Sequence, residues 1–414
     1  MSRRMTRRQL LQRTGAGAMG VSFAALLAAC GGGIDAGGGE DESGAGATTA
    51  EAATTGEATT TVEAGGATTG GQLADKIVWS NWQLYLDTND EGTAYPTLDA
   101  FTEATGVEVE YLDGDINGNE EFYAKIVQQL EAGQDVGRDL VVLTDVSGVP
   151  GRMIDLGYAE KFDKSAIPNA VNLLDALAHP AYDPDREYTL PWQGGMTGIG
   201  YDPTKTGGEI TSLEQVFTDP KLAGKVTFLN ELADMIGLAM LLNGDDPTTV
   251  TDEAFDRAIE VTQAAVDSGQ VRQFTGNEYS SMLAAGDVWV SLAWSGDLVQ
   301  LQLDNPNLVW VQPDEGSMIW SDQLLIPKGG DVFTASTLIN WYYDPEIAAQ
   351  AAAWINYISP VKGAKEVLLE QDPEIANNVL IFPTDEMLAK AYLFDVTASD
   401  NETYKEQFQA LLGA

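Results

Sequence analysis

The run VEVEYLDGDINGNEEFYAKIVQQLEAGQDVGRDLVVLTD, residues 107–145, decides the fold. VEVEYLDG (107–114) alternates apolar and polar side chains, the period of a half-buried strand. NEEFYAKIVQQLEAG (119–133) reads as an amphipathic helix, and DLVVLTD (139–145) as a short buried strand. Upstream, KIVWSNW (76–82) has strand character, and YPTLDAFTEATG (95–106) spaces its apolar residues as a helix does and stops on glycine. Strand, helix, strand, helix, strand in that order predicts an α/β domain with a largely parallel sheet. Ligands of such sheets bind beyond the carboxyl ends of the strands.

A second set of elements follows. YTLPWQGGMTGIGYDP (188–203) is extended and glycine-rich, as expected where a chain crosses between lobes. GKVTFLNELADMIGLAMLLNG (224–244) reads as a strand entering a helix, DEAFDRAIEVTQAAVDSG (252–269) as a helix, and GDVWVSLAWSGDL (286–298) as a strand and turn. SMIWSDQLLIP (317–327) is a buried strand stopped by Pro327. Helices are expected over PEIAAQAAAWINYIS (345–359) and VKGAKEVLLEQ (361–371). No internal repeat is evident, and two α/β lobes fit better than one continuous sheet.

The amino terminus is processing information. Residues 1–29 place basic side chains before an apolar stretch (Ala16–Ala29) too short for an ordinary spanning helix, the layout of a secretory signal. TRRQLLQ (Thr6–Gln12) resembles a twin-arginine export signal, and LAAC (Leu27–Cys30) resembles a lipobox, which makes Cys30 the expected lipid anchor. Cys30 is the only cysteine, so no intrachain disulfide forms. Residues 30–75, mostly Gly, Ala, Thr, Glu and Ser, read as a flexible tether.

The formal charge of the 414 residues is −41. Removing residues 1–29 takes away five arginines and leaves 17 basic against 63 acidic residues, near −46. Such a field excludes nucleic acid as a partner and attracts cations. An acidic surface also serves solubility or life in high salt, so charge alone does not name a ligand.

No catalytic unit assembles. His179, in LAHPAYDPD, is the only histidine, and no zinc spacing occurs. GGMTGIG (194–200) lacks the lysine of a phosphate-binding loop, and Ser295 in AWSGD lacks the flanking pattern of a nucleophile elbow. What recurs is tryptophan or tyrosine beside carboxylate or amide at strand ends. These are Trp82 and Tyr85, Thr144 and Asp145, Glu231 and Asp234, Trp294, and Trp320 with Asp322. Trp320 and Asp322 lie two apart, on one face of a strand. Glu231 and Asp234 lie three apart in a helix's first turn, where Asn230 can act as N-cap and the helix dipole favours acids without any ligand. An ammonium over an indole gains roughly 2 kcal/mol when desolvated, and an adjacent carboxylate adds a charge-assisted hydrogen bond. The combination favours an organic cation such as a diamine or polyamine.

Taken in order, SNWQLYLD, FTEATGVEVEY, FYAKIV, DLVVLTD, LPWQGGMTGIGYDP, TSLEQVF, LAGKVTFLNELADMIGLAML, AAGDVWVSLAWSGD, SMIWSDQLLIP and FPTDE resemble the periplasmic spermidine/putrescine-binding proteins of bacterial ABC importers. The likeness runs over nearly all of the chain from Lys76. It implies a two-lobed α/β periplasmic-binding-protein fold of type II with a closing cleft between lobes, lobe 1 comprising 76–194 and 321–372 and lobe 2 comprising 195–320 and 373–414. It implies delivery of a polyamine-like cation to permease and ATPase subunits by an extracytoplasmic, lipid-anchored and monomeric binder without cofactor or metal, not an enzyme. Carried over by position, Trp82 and Tyr85 match aromatic contacts, Thr144 a polar contact, Glu231 and Asp234 paired acidic contacts, Trp294 an aromatic wall, and Trp320 with Asp322 an aromatic-acid pair. Phe382 stands where the family often has tyrosine. Leu84 occupies a place where polyamine binders can carry an acid, Val146 replaces an aromatic, and Asp145 adds a carboxylate. A binder of another small solute, such as a sugar or amino-acid derivative, and an exported enzyme are the alternatives.

Overall fold

A computed structural model describes residues 71–89 and 92–413. The export leader (1–29), Cys30 and most of the 30–75 tether lie outside the described residues. The end of the tether does not: Leu73 and Ala74 pack against the core, and the Ala74 amide donates to Thr334 Oγ1 at 2.9 Å. Among the described residues packing is thus already under way at residue 73, inside the stretch expected as tether, because a leucine there has apolar surface to cover.

In chain order the strands are β1 (Lys76–Trp82), β2 (Glu108–Ile116), β3 (Leu140–Thr144), β4 (Ala159–Glu160), β5 (Thr189–Tyr201), β6 (Val226–Leu229), β7 (Val271–Thr275), β8 (Val290–Trp294), β9 (Val309–Val311), β10 (Ser317–Pro327) and β11 (Ala391–Tyr392). Their main path runs β2-β1-β3-β10-β5-β8-β6-β7. β2, β1 and β3 form one parallel trio and β8, β6 and β7 a second. β10 and β5 lie antiparallel between them and bond to both. Hydrogen bonding is therefore continuous across a sheet that the sequence divides into two lobes, because two long strands run through both halves.

The helices follow from local chemistry. Asn119–Glu131 buries Phe122, Ile126 and Leu130, one stripe at four-residue spacing. Pro96–Thr105 takes Pro at its start and ends on Gly106 at φ +80°, a left-handed cap that glycine adopts without strain. The segment after β8 differs from expectation: the predicted turn is a helix, Ser295–Asp304. The helix predicted over 345–359 stops at Ile355, because Asn356 turns left-handed at φ +63° and Ile358 leaves to exchange backbone hydrogen bonds with Gly194. Gln300 Nε2 donates to Asn356 Oδ1 at 2.5 Å and supports that turn.

All thirteen residues of β5 are buried, and its glycines admit indole rings. A Cβ on Gly195 would lie 2.5 Å from Trp320 Cζ2, and one on Gly198 would lie 2.7 Å from Trp310 Cζ2. Side chains at these positions would displace the rings.

Candidate ligand-binding site

The register of the two central strands gathers the strand ends. Thr144, the last residue of β3, pairs with Asp322 of β10. Trp294, the last residue of β8, pairs with Thr197 of β5, and Thr197 pairs with Met318 of β10. The carboxyl end of β3 thus meets β10 directly and that of β8 meets it across β5, within a few residues of each other along β10.

On the first trio's side, Tyr85 Oη donates to Asp322 Oδ2 at 2.7 Å and Thr144 Oγ1 donates to Asp322 Oδ1 at 2.7 Å. Thr144 is itself fixed by Asn119, which accepts from its amide at 2.8 Å and donates to its hydroxyl at 3.2 Å. Asp322 is 5 % exposed, and among the described residues no lysine or arginine pairs with it. Burial dominates and pushes its carboxyl up to about 7, against the two hydroxyl bonds that favour the ionised form. Leu84 sits at φ +56°, which costs on the order of 1 kcal/mol for a side chain of its kind. Asp113 Oδ1 accepts from the Leu84 amide at 2.7 Å and holds this bend, which turns Tyr85 toward Asp322.

On the second trio's side, Asp234 accepts from Thr197 Oγ1 at 2.5 Å and from Trp294 Nε1 at 3.0 Å. Trp320 Nε1 donates to Thr197 Oγ1 at 3.2 Å. Trp294 therefore bonds this buried carboxylate directly and Trp320 reaches it through Thr197, and burial raises its pKa. Glu231 is exposed to solvent yet crowded by protein on its flanks, the situation of a group on a cleft wall. That crowding, with the charge of Asp234, pushes its carboxyl up to about 7. Glu231, not Asn230, occupies the N-cap of the helix Leu232–Asn243, and its side chain makes no capping bond. Asn230 instead continues the pairing of β6, its amide donating to Thr275 O at 3.0 Å.

Trp82 is half-buried, with Nε1 donating to Val142 O at 3.0 Å. Asp145 is put to a different use. It accepts from Ser321 N at 3.0 Å, Ser321 Oγ at 2.8 Å and Val146 N at 2.7 Å. Ser321 alternates with Trp320 and Asp322 on β10, so Asp145 serves the opposite face of that strand, where burial pushes it up to about 6. Phe382 is partly buried under Lys365, whose Nζ lies 5.8 Å from the ring centroid, and no described contact joins it to Asp322 or Asp234.

Two further residues, Tyr357 and Asp297, adjoin these aromatics. Tyr357 stands edge-on to Tyr85 with centroids 5.8 Å apart and lies 5.6 Å from Trp320. Its hydroxyl donates to Asp297 Oδ1 at 3.0 Å. Asp297 also accepts from Tyr279 Oη at 2.8 Å and Asn277 Nδ2 at 2.9 Å. The available signal for Asp297 was its place three residues after Trp294 in WSGD; Tyr357 gave none, because it sits inside a helical pattern.

Among the described residues no group of three potential metal ligands gathers, and no helix is long and apolar enough to cross a membrane. An open cavity of about 340 Å3 lies apart from the carboxylates, with Phe162, Ile167 and Leu190 in its lining. Its cations are engaged: Lys362 pairs with Asp175 at 2.8 Å, and Arg186 donates to Thr189, Gln323 and Leu177 O.

The family model of the bacterial extracellular solute-binding proteins matches residues 96–383, well over half of the chain. The chain belongs to this family. The spermidine/putrescine-binding periplasmic protein of Salmonella typhimurium is 26 % identical over 341 residues, covering 81 % of this chain and 91 % of that protein. The putrescine-binding periplasmic protein SpuD of Pseudomonas aeruginosa is 29 % identical over 353 residues, covering 80 % and 90 %. Among solved structures, the spermidine/putrescine transporter substrate-binding protein PotD of Streptococcus pneumoniae superposes with a TM-score of 0.68 at 22 % identity, over 82 % of this chain and 98 % of that one. The fold is the two-lobed type II fold of periplasmic binding proteins, as the resemblance implied.

Proposed function

We propose that this solute-binding protein captures a polyamine-like cation, of the spermidine or putrescine kind, outside the cytoplasm and delivers it to the permease of an ABC importer. The observation that carries the proposal is Asp322: a buried carboxylate met by two hydroxyls, beside the Trp320 indole, with no basic side chain of the described chain to neutralise it. An ammonium supplies the missing charge, and the indole covers the adjacent methylenes. Glu231, accessible and close enough to Asp234 to feel its charge, supplies a second anionic contact for the other amine. Relatives named for spermidine and putrescine support the choice of ligand class.

In this reading Trp82, Tyr85, Thr144, Trp294, Trp320 and Tyr357 form the walls, Asp322, Glu231 and Asp297 the charged contacts, and Asp234 and Asp145 hold the walls in place. Lobe 1 comprises 76–194 and 321–372, lobe 2 comprises 195–320 and 373–414, and the first two of the three boundaries fall inside β5 and β10. The function is binding rather than catalysis. Calorimetry of residues 30–414 against a panel of amines, sugars and amino acids is expected to give one-to-one binding of spermidine or putrescine at micromolar affinity or tighter. Sugar or amino-acid binding without any amine response would sink the assignment.

Monomeric attachment to the membrane through a lipid on Cys30 belongs to the same proposal. Growth of an expressing strain with labelled fatty acid is expected to label the wild-type chain and to leave a Cys30→Ser variant unlabelled and released. A wild-type chain that is unlabelled and released would overturn it.

A further inference from the structure

Resting on the two-lobed amine-binding reading above, we infer that residues 395–412 are a latch across the cleft that slows release of the bound amine. This segment is fastened to elements of both parallel trios. On the side of β6 and β7, the Asp395 amide donates to Pro247 O at 2.9 Å, and Tyr404 stacks on Phe255 with centroids 4.0 Å apart and planes 9° from parallel. Tyr404 Oη donates to Asp252 at 2.5 Å and Gln407 Nε2 donates to Asp256 at 3.2 Å. Phe255, Asp252 and Asp256 all lie on the helix Asp252–Asp267, between β6 and β7.

On the side of β3, the same segment meets a different group of elements. Ser399 Oγ donates to Val146 O at 2.6 Å. Arg152, on the helix Val149–Asp155, bonds Asp400 and forms a two-pronged pair with Glu120 at 2.6 and 2.9 Å. Lys405 reaches Glu120 at 3.2 Å and Asp400 at 3.8 Å. Gly148, at φ +80°, lets the strap come close: a Cβ there would lie 2.7 Å from Asp400 Oδ1. Four charges of alternating sign, Glu120, Arg152, Asp400 and Lys405, thus tie the carboxyl-terminal segment to the helices on either side of β3, and Ser399 ties it to the loop that ends β3.

That loop belongs to the binding site. Asn119, which precedes Glu120, fixes Thr144, and Thr144 donates to Asp322. Val146 and Gly148 follow Thr144 in the same turn. An opening that carries the β3 side away from the β6–β7 side must break the charge cluster, so each bond that survives only in the closed state lowers the escape rate. The four side chains are between 21 % and 50 % exposed, so salt screens the cluster far more than it screens buried Asp322.

The test is stopped-flow measurement of spermidine and putrescine dissociation from the wild type, Asp400→Asn and Lys405→Gln, with Glu187→Gln in the remote Lys161 pair as control. Each latch variant is expected to release the amine about three- to tenfold faster, with association within about twofold of wild type and a weaker dependence of dissociation on salt. The control is expected to match the wild type. Hydrogen exchange at the amides of 396–412 in the ligand-free chain is expected to quicken in the latch variants. Unchanged dissociation in both variants of an amine-binding protein would overturn the latch. If the wild type binds no amine, the functional assignment above fails instead, and the latch stands or falls on the exchange measurement alone.

Discussion

Replacing Asp322 by asparagine is expected to weaken amine binding by roughly a hundred- to several thousandfold, the cost of removing one partner from a desolvated charge pair. Asparagine keeps the volume, and the hydroxyls of Tyr85 and Thr144 rotate to suit an amide, so the fold survives. Ligand-free thermal stability at pH 8 is expected to rise, because a buried charge without a basic partner is gone. Glu231→Gln should weaken binding less, by about tenfold, because Glu231 is solvent-accessible and its pairing is screened. Calorimetry with melting curves on both variants checks this. Amine affinity within threefold of wild type for Asp322→Asn would remove Asp322 from the site.

Binding is also expected to be strongly pH-dependent, with a definite sign. Burial pushes the Asp322 carboxyl up to about 7 in the folded, ligand-free chain, and Glu231, beside the charge of Asp234, is moved in the same direction, while carboxyls of the unfolded chain titrate near 4. Between these limits the folded chain holds protons that the unfolded chain has released, so these groups make ligand-free stability fall as pH rises from 4 to 7. An ammonium requires the carboxylates ionised and displaces the protons. Affinity should therefore fall as pH drops below 7, by about 30-fold between pH 8 and pH 5.5 for each carboxyl that must ionise. The amine itself stays protonated over that range. Calorimetry in buffers of different ionisation enthalpy is expected to detect proton release near pH 7. Affinity independent of pH from 5.5 to 8 would show that neither carboxyl meets the ligand.

The order of strands and helices could be read from the sequence because burial imposes period two on strands and period near four on helices, as in 107–131. The pairing of Trp320 with Asp322 was legible because a strand puts residues two apart on one face. Their distant partners were not. Tyr357 lies at the end of an apparently helical run, and only its exchange of backbone hydrogen bonds at Gly194 and Ile358 pulls it out of the helix and against Tyr85. Asp145 looked equivalent to Asp322 as a carboxylate at a strand end. The direction in which it points depends on the 3₁₀ turn at 145–147, whose donors come from a strand nearly 180 residues away. Asp297 falls in a segment expected as a turn, and only the helix Ser295–Asp304 places it in a first turn, where the dipole favours an acid. Side-chain convergence across long sequence separations has no local signature.

The insertion of β10 between β3 and β5 also sets an order of events during folding. Both neighbours are complete by residue 201, yet the strand that separates them spans 317–327. A growing chain therefore carries two unsatisfied strand edges through the synthesis of more than a hundred further residues, the arrangement most exposed to intermolecular pairing. The same central strand that carries Trp320 and Asp322 is the one whose late arrival closes the sheet. The step that completes the core also brings the residues of the proposed site together, so a chain that has not finished folding lacks the proposed means of capture.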